Sequence, residues 1–367
     1  MLLTFSSSAR ARSSTVGYGF SSHMYRLRRF LVAGAALFAL LLLGPASQFV
    51  HARGGTWQGF VYHGQAGSRP YFVYTPDNYH PGTPVPLFVM LHGCTQTAAD
   101  FAAGTQMNEL ADAHQFIVLY PQQTILNNPA ACWNWFVPAN QTRGSGEPSI
   151  LAGMVEAVEG NTPQWTIDRS RVFVAGASAG AVMSVILGAT YPDLFAAIGV
   201  VAGIEYPAGA TGTSGLDPLK AGEMAYQAMG SYARVVPTAV FQGTADPVVA
   251  PINGDLVVQQ WMETDHLASH ERYDASFANP SQIITASPPA SHPYIERSWN
   301  DSAGHEVQEY WVAVGASHVW TGGSPAGTFT DPLGPNISQI LYRFFLNHPM
   351  SAFPAVKNAK ALEATTI

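Results

Sequence analysis

The chain has 367 residues, of which 47% are hydrophobic and 11% charged, and its formal net charge is −7 at pH 7. An acidic chain is repelled by phosphate backbones and anionic lipid surfaces, so nucleic acid is not an expected partner. The length suits one α/β domain with a large core, and the spacing of cysteine and histidine matches no metal-binding motif, so we expect neither a metal nor a cofactor.

The first 52 residues have the features of a secretory signal peptide. They contain five arginines and no acidic residue, and Phe30 to Leu43 is a run of 14 residues without a polar side chain. Small residues up to Ala52 then fit a cleavage site, and Met24 is an alternative start. The other interpretation is a membrane anchor, but 14 residues fall short of the ~20 that a spanning helix needs. We therefore expect a secreted protein, periplasmic or extracellular, without stable membrane insertion after cleavage.

Short apolar runs alternate with helical patterns beyond residue 52. The predicted strands are 71–75, 87–91, 116–120, 172–175, 196–201, 239–242 and 307–314, and the predicted helices are 107–114, 150–158 and 181–191. This alternation predicts a mostly parallel central sheet with helices on both faces. We assign the catalytic domain to residues 53–350 and a tail to 351–367, and we expect a hairpin or lid over the polar segment 273–304 and a flexible segment at 206–216.

The second predicted strand ends in His-Gly-Cys-Thr-Gln (92–96). A loop in this position supplies a backbone N–H to the oxyanion hole in hydrolases of the α/β type. We expect the Cys94 amide to be this donor, with the Thr95 amide as the alternative. His92 is expected to brace the loop through a hydrogen bond rather than to take part in the chemistry.

Cys94 and Cys132 are the only cysteines in the chain. An even count in an exported protein favours a disulfide, which here would link the oxyanion loop to the Trp133–Trp135 segment. The alternative is a pair of buried free thiols.

The most specific local pattern is Gly-Ala-Ser-Ala-Gly (176–180), which follows an apolar, β-branched run and precedes a segment of small residues. Strand, G-x-S-x-G and helix in this order form a nucleophile elbow, a turn so tight that large flanking side chains cannot fit. Ser178 is therefore the candidate nucleophile, and the amide of Ala179 the second oxyanion donor. The elbow predicts an α/β-hydrolase fold.

Two later strands end in residues that could complete a catalytic triad. Asp246 lies in a Gly-Thr-Ala-Asp-Pro turn after strand 239–242, and His318 follows strand 307–314. The order Ser, acid, His is that of the α/β-hydrolases, in which the histidine is the base and the carboxylate fixes its tautomer. Asp255 lies deeper in its loop and Asp331 follows the histidine, so both are weaker candidates for the acid.

Four of the remaining histidines are weaker alternatives to His318. They are interpreted as surface residues and are His270, His292, His305 and His348.

Five segments together resemble the polyhydroxybutyrate depolymerase family of esterases, which is grouped with the feruloyl and acetyl xylan esterases of carbohydrate esterase family one. These segments are residues 92–96, Cys-Trp-Asn-Trp-Phe (132–136), the elbow 176–180, Gly-Thr-Ala-Asp (243–246) and Ser-His-Val-Trp-Thr-Gly-Gly (317–323). The resemblance extends from about Gly59 to His348.

The resemblance implies Ser178 as nucleophile, Asp246 as acid, His318 as base, and an oxyanion hole formed by the amides of Cys94 and Ala179. The chain departs from the family pattern in three places. The family usually has a larger residue at the position of Ala177 and a further glycine at that of Ala181, and commonly a histidine at that of Gln242.

Three tryptophans, Trp133, Trp135 and Trp320, are adjacent to the predicted catalytic loops. Exposed aromatic side chains there could bind a polymer chain or an aryl group, and the alternative is that they pack in the core.

The resulting hypothesis is a serine esterase that hydrolyses hydroxyalkanoate polyester or oligomers through an acyl-enzyme. The alternative is a feruloyl or acetyl xylan esterase acting on plant polysaccharide. A peptidase on the same scaffold has no specific support. From another class, a non-catalytic binding protein on a hydrolase scaffold is disfavoured because all three triad residues are present. The oligomeric state is left open.

Overall fold

The computed structural model describes residues 54–207 and 217–350. The expected signal peptide, the tail 351–367 and most of segment 206–216 lie outside these residues. No helix within the described ranges is both long enough and apolar enough to cross a membrane.

Twelve strands and seven helices, together with 3₁₀ turns at Pro138–Gln141 and Gly230–Tyr232, make up the described chain. The strands are β1 (Thr56–Gly64), β2 (Gly67–Thr75), β3 (Val85–Leu91), β4 (Ile117–Pro121), β5 (Ile167–Ala177), β6 (Ala197–Val201), β7 (Thr238–Gly243), β8 (Gln282–Ala286), β9 (Tyr294–Asn300), β10 (Glu306–Ala313), β11 (Trp320–Thr321) and β12 (Thr330–Asp331). The helices are α1 (Ala98–Thr105), α2 (Met107–His114), α3 (Gly146–Gly160), α4 (Ala179–Thr190), α5 (Pro218–Met229), α6 (Ile252–Ala268) and α7 (Ile337–Asn347).

Ten strands form one sheet in the order β1-β2-β4-β3-β5-β6-β7-β10-β9-β8. The six strands from β4 to β10 are parallel. The hairpins β1–β2 and β8–β9 add antiparallel strands at the two edges. The expected α/β-hydrolase fold is therefore confirmed, and segment 273–304, expected to be a hairpin or lid, contains the β8–β9 hairpin that extends the sheet.

Helices cover both faces of the sheet. Side chains in β3 alternate between the layers, because successive residues of a strand point to opposite faces. Leu87, Val89 and Leu91 pack in the layer that contains α3, α4, α5 and α6. Phe88 and Met90 pack against α1, α2 and α7. A strand with two covered faces is apolar throughout, and every residue of β3 is buried.

The carboxyl ends of the parallel strands meet at one edge of the sheet, where their loops can share a site. Leu91 at the end of β3 pairs with Gly176 of β5, and Ala177 pairs with Val201 at the end of β6. The elbow serine follows directly, so it lies centrally on this edge.

Candidate active site

Ser178 lies between β5 and α4 in a backbone conformation that residues with a Cβ rarely adopt. Its φ is 54° and its ψ is −121°, and a non-glycine residue held in such a sparsely populated region costs about 1–3 kcal/mol. Its amide donates to the carbonyl of Val201 on the neighbouring strand at 2.9 Å, which helps to hold the turn. The conformation and the position are those of a nucleophile elbow.

The two glycines of the elbow are required by close packing. A Cβ on Gly180 would lie 2.1 Å from the carbonyl oxygen of Leu91. A Cβ on Gly176 would lie 2.4 Å from the carbonyl carbon of Gly180. The first turn of α4 therefore approaches β3 more closely than any larger residue would allow.

Asp246 and His318 come from the loops after β7 and β10 and are hydrogen-bonded to each other. His318 Nδ1 lies 2.7 Å from Asp246 Oδ2. The other carboxylate oxygen accepts from the amides of Val248 and Val249 at 2.8 and 2.9 Å. A carboxylate can only accept, so Nδ1 carries the proton and Nε2 is left as the basic nitrogen.

The surroundings of Asp246 favour its charged form. Burial raises the pKa of this carboxyl, but the hydrogen bonds from His318, Val249 and Val248 together outweigh burial and bring the pKa below its ordinary value. The side chain has no exposed surface. Asp246 is thus a fixed negative charge behind the imidazole.

The oxyanion loop lies beside Ser178. A Cβ built on Gly93 would be 3.4 Å from the Cβ of Ser178. The amide of Thr95 donates to the carbonyl of Ala130 at 2.7 Å, whereas no partner among the described residues accepts from the amide of Cys94. Of the two candidates in this loop, Cys94 is therefore the one whose N–H is available to a ligand.

Ala179, the source of the other expected donor, is the first residue of α4. The N–H groups of a first helical turn have no partner within the helix and lie at the positive end of its dipole. This position suits stabilisation of a developing negative charge.

The expected disulfide between Cys94 and Cys132 is present. It connects the oxyanion loop to the segment that contains Trp133 and Trp135.

His92 is fully buried beneath the oxyanion loop. The amide of Gln123 donates to its Nε2 at 3.0 Å, so Nδ1 carries the proton and donates to the carbonyl of Gly93 at 2.8 Å. Burial lowers the pKa of His92 to about 4. The ring is therefore neutral near pH 7 and braces the loop, as predicted.

Ser178 and His318 open onto one cavity of about 270 Å³. The cavity is lined by Gly93, Cys94, Thr95, Gln96, Ala177, Ser178, Val201, Ala202, Val248, His318, Val319, Trp320 and Phe329. Its wall contains no Asp, Glu, Lys or Arg, and most of it is apolar. The arrangement can hold a small uncharged acyl group next to Ser178.

The three tryptophans differ in their relation to the cavity. Trp320 lines it but is 1% exposed, with its indole N–H donated to Ser338 and its ring edge-on to Phe101. It can therefore offer only a small part of its surface to a ligand.

The expectation of a substrate platform at Trp133 and Trp135 requires correction. Trp133 is completely buried in the core and donates its indole N–H to the carbonyl of His92. Trp135 is half-buried, packs edge-on to Phe136 and is absent from the cavity wall.

Two strongly exposed apolar residues of the wall, Phe329 and Val248, were missed by the sequence analysis. Phe329 is 52% exposed and has a φ of 52°, and Val248 is 66% exposed. An apolar side chain with this much exposed surface at a cavity mouth is available to a substrate. The position of Val248 next to Asp246 was a signal that could have identified it, but for Phe329 the sequence carries no comparable signal.

The two weaker candidates for the triad acid have other partners. Asp331 is paired with His292 Nε2 at 2.9 Å, and Asp255 accepts from Tyr310.

His348 was interpreted as a surface residue, but that interpretation was wrong. The residue is 3% exposed and lies within hydrogen-bonding distance of the carbonyls of Phe344 and Glu306.

Comparison with known proteins assigns the chain to a family. Residues 70–272 match the family described as esterase PHB depolymerase. A poly(3-hydroxyalkanoate) depolymerase C from Paucimonas lemoignei is 36% identical over 245 residues, which are 64% of this chain and 57% of that protein. A probable acetylxylan esterase A from Aspergillus flavus is 39% identical over 141 residues, 38% of this chain and 42% of that protein.

The chain thus spans about half the length of these curated relatives. Among solved structures, an acetyl xylan esterase from Aspergillus awamori superposes with a TM-score of 0.63 at 22% identity, covering 80% of this chain and all of that one, and so shares its fold. Because the matched region includes more than half of the sequence, the chain belongs to the esterase PHB depolymerase family.

Proposed function

We propose that the protein is a secreted serine esterase that cleaves hydroxyalkanoate polyester or its oligomers. One observation carries this proposal: a strained serine and a histidine with a fixed tautomer share an apolar cavity with a free loop amide. Nucleophile, base and oxyanion donor are the three parts that acyl transfer needs.

In the proposed mechanism, Ser178 Oγ attacks the ester carbonyl while its proton passes to His318 Nε2. The carbonyl oxygen becomes an oxyanion and accepts from the amides of Cys94 and Ala179. Asp246 stabilises the imidazolium, which then donates its proton to the departing alcohol oxygen. Water, deprotonated by His318, attacks the acyl-enzyme and releases the acid and the free serine.

Most polar side chains of the cavity wall already have hydrogen-bond partners within the protein, which favours an apolar substrate. Gln96 already bonds to the Gly93 amide, to Asp100 and to Thr328, and the Thr95 hydroxyl donates to the Cys94 carbonyl. Ser178 and His318 are thus the polar side chains left for a ligand. Short hydroxyalkanoate units, which present methyl and methylene groups around each ester, match this wall.

A second candidate is an acetyl xylan or feruloyl esterase acting on plant polysaccharide. It is favoured by the 39% identity to a probable acetylxylan esterase A over 141 residues. An acetyl group would also fit the cavity, with the sugar outside it.

Export is part of the proposal and rests on the arginine-rich, then apolar sequence of residues 1–52. The proposed catalytic domain is residues 53–350, with a tail at 351–367.

The test is a substrate panel on the mature protein with Ser178→Ala as control. Release of 3-hydroxybutyrate from short polyester, lost in the variant, is the expected result. Release of acetate or ferulate alone from xylan fragments would favour the second candidate. Fluorophosphonate labelling of Ser178 would exclude the non-catalytic binding protein, and absence of both hydrolysis and labelling in folded protein would contradict the proposed enzyme.

A further inference from the structure

A buried polar network lies under the oxyanion loop and does not touch the cavity. Its central members are Arg69 on β2, Gln123 after β4 and Glu147 at the start of α3, all less than a tenth exposed. Charged and amide groups are seldom buried in such number unless each has a partner.

Glu147 joins three separate segments of the chain. Its Oε1 accepts from Arg69 at 3.1 Å, from the side chain of Gln123 at 2.5 Å and from the side chain of Asn134 at 2.8 Å. Its Oε2 accepts from the backbone amide of Asn134 at 2.6 Å. Every neighbour is a donor, so the site requires a group that only accepts, which is a carboxylate.

Gln123 extends the network to both sides of the disulfide. Its side-chain amide also donates to the carbonyl of Cys132 at 3.0 Å, and its oxygen accepts from Arg69 Nε at 2.8 Å. Its backbone amide donates to His92, whose ring donates to the Gly93 carbonyl, one residue before Cys94.

Trp133 connects Glu147 to the oxyanion loop through a second set of hydrogen bonds. Its indole donates to the carbonyl of His92, and the next residue, Asn134, is the one that Glu147 holds by backbone and side chain. Glu147 therefore supports the oxyanion loop from the His92 side and from the Cys132 side.

We propose that Glu147 is a positioning residue that orients the Cys94 amide for the oxyanion hole. This inference rests on the proposed esterase function. The oxyanion forms only during the reaction, so an amide that is misdirected weakens binding of the tetrahedral state and leaves binding of the planar ester nearly unchanged.

Glu147→Gln tests the inference because it keeps the side-chain shape and places an NH₂ group opposite donors. The readouts are kcat and KM on a soluble butyrate ester, the inhibition constant of a boronic acid that forms a tetrahedral adduct with Ser178, and the thermal unfolding midpoint.

Asp168→Asn is the matched control. Asp168 lies at the opposite end of β5 from Ser178 and also accepts from an arginine and from a backbone amide. Loss of the Asp168 charge removes local hydrogen bonds of similar type but leaves the contacts of the oxyanion loop unchanged.

We expect Glu147→Gln to lower kcat roughly 10- to 100-fold, somewhat less than removal of a whole oxyanion donor. Boronate affinity should fall in parallel with kcat/KM, while KM changes less than about threefold. Asp168→Asn should keep kcat and boronate affinity within about twofold of wild type whatever its unfolding midpoint.

Equal losses of kcat in the two variants, or a loss that appears in KM alone, would overturn the inference. If Glu147→Gln does not fold, Asn134→Ala removes one side-chain bond to Glu147 and should show the same kcat-specific loss at smaller size. A wild-type protein that neither cleaves the ester nor binds the boronate contradicts the proposed function itself, which separates the two failures.

Discussion

Asp246 shows how local hydrogen bonds set the state of a single residue. Its two oxygens accept from His318, Val248 and Val249, and Gln242 approaches Oδ2 at 3.3 Å. Gln242 stands where the resemblance places a histidine, so this chain has a neutral amide beside the acid in place of a titratable ring. Both carboxylate oxygens therefore have hydrogen-bond donors, which favours the charged form of Asp246.

Asp246→Asn is expected to lower kcat about 10³- to 10⁴-fold, because an amide can reverse the histidine tautomer and turn the wrong nitrogen towards Ser178. The measurement is steady-state hydrolysis of a chromogenic ester. Asp331→Asn, which alters a different carboxylate–histidine pair, serves as the control and should leave kcat near wild type. Similar losses in both variants would refute the assignment of Asp246.

Phe329→Ala tests the cavity mouth. The variant keeps a Cβ at the same positive φ, so backbone strain is unchanged, while an apolar wall is lost. Burying a phenylalanine is worth about 1.5–3 kcal/mol, so partial contact predicts roughly a tenfold fall in kcat/KM for hydroxybutyrate oligomers and little change for a phenyl acetate.

The control for this experiment is Leu333→Ala, an exposed apolar residue outside the cavity wall. It should have no effect on either substrate. An equal loss on the oligomer and on the acetate would mean that Phe329 does not select the substrate.

At the scale of elements, a buried acidic side chain on β10 is paired with an arginine on α7. Glu309 on β10 accepts from the Trp311 indole at 2.9 Å and is paired with Arg343 of α7. Burial, reinforced by the neighbouring Glu306, raises the pKa of Glu309 to about 8 in spite of Arg343. The folded protein thus holds a proton that the unfolded chain loses at its ordinary pKa of about 4.5.

The difference between the pKa of Glu309 in the folded and in the unfolded chain determines how stability changes with pH. Stability from the protonated Glu309 is complete below about pH 4.5 and decreases as the pH rises to about 8. We expect the urea midpoint to fall between pH 5 and pH 9, and to fall less in Glu309→Gln, which mimics the protonated form. Glu223→Gln on the exposed face of α5 is the control, and a slope in Glu309→Gln equal to that of wild type would contradict the assignment.

The elements themselves differ in how well the sequence predicts them. The buried strands β3 to β7 were predicted because short apolar runs mark them, and β10 because its residues alternate as in a strand. Helix α2 was predicted with the bounds observed. Strand β1 was missed because it lies at an edge and mixes polar and apolar residues, and α6 because polar residues such as Gln260 and Asp265 are buried in it.

The triad candidates could be located because each follows a strand, and parallel strands end at one edge of the sheet. The network around Glu147 could not, because Arg69 and Glu147 are 78 residues apart and nothing local indicates their contact. Phe329 is placed at the cavity mouth by bonds from Thr328 to Asp100, 228 residues away in sequence. Contacts of this range depend on the completed fold.

At the scale of the whole molecule, the disulfide is expected to affect both the stability of the fold and the geometry of the proposed active site. It closes a loop with a sequence separation of 38 residues. The double variant Cys94→Ser/Cys132→Ser is expected to lower the free energy of unfolding by about 4 kcal/mol in the chain-entropy model. Hydrolysis should fall as well, because the backbone amide of residue 94, the proposed oxyanion donor, remains in the variant but loses the covalent restraint on its loop.

Urea unfolding and ester hydrolysis of the double variant and of reduced wild type measure this effect. The two samples should agree, since both lack the same covalent link. Full activity in both would show that the hydrogen bonds around Gln123 hold the loop without the disulfide.

The loop after β7 contributes both to the cavity wall and to the hydrogen bonds of Asp246, and this double role limits how its sequence can change. Val248 forms part of the cavity wall, and its backbone amide is one of the donors to Asp246. An insertion or deletion here would alter the pocket and release the acid at the same time. New preferences on this side of the pocket are therefore expected to arise by exchange of the Val248 side chain, in natural descendants and in laboratory evolution alike, with the length of the loop preserved.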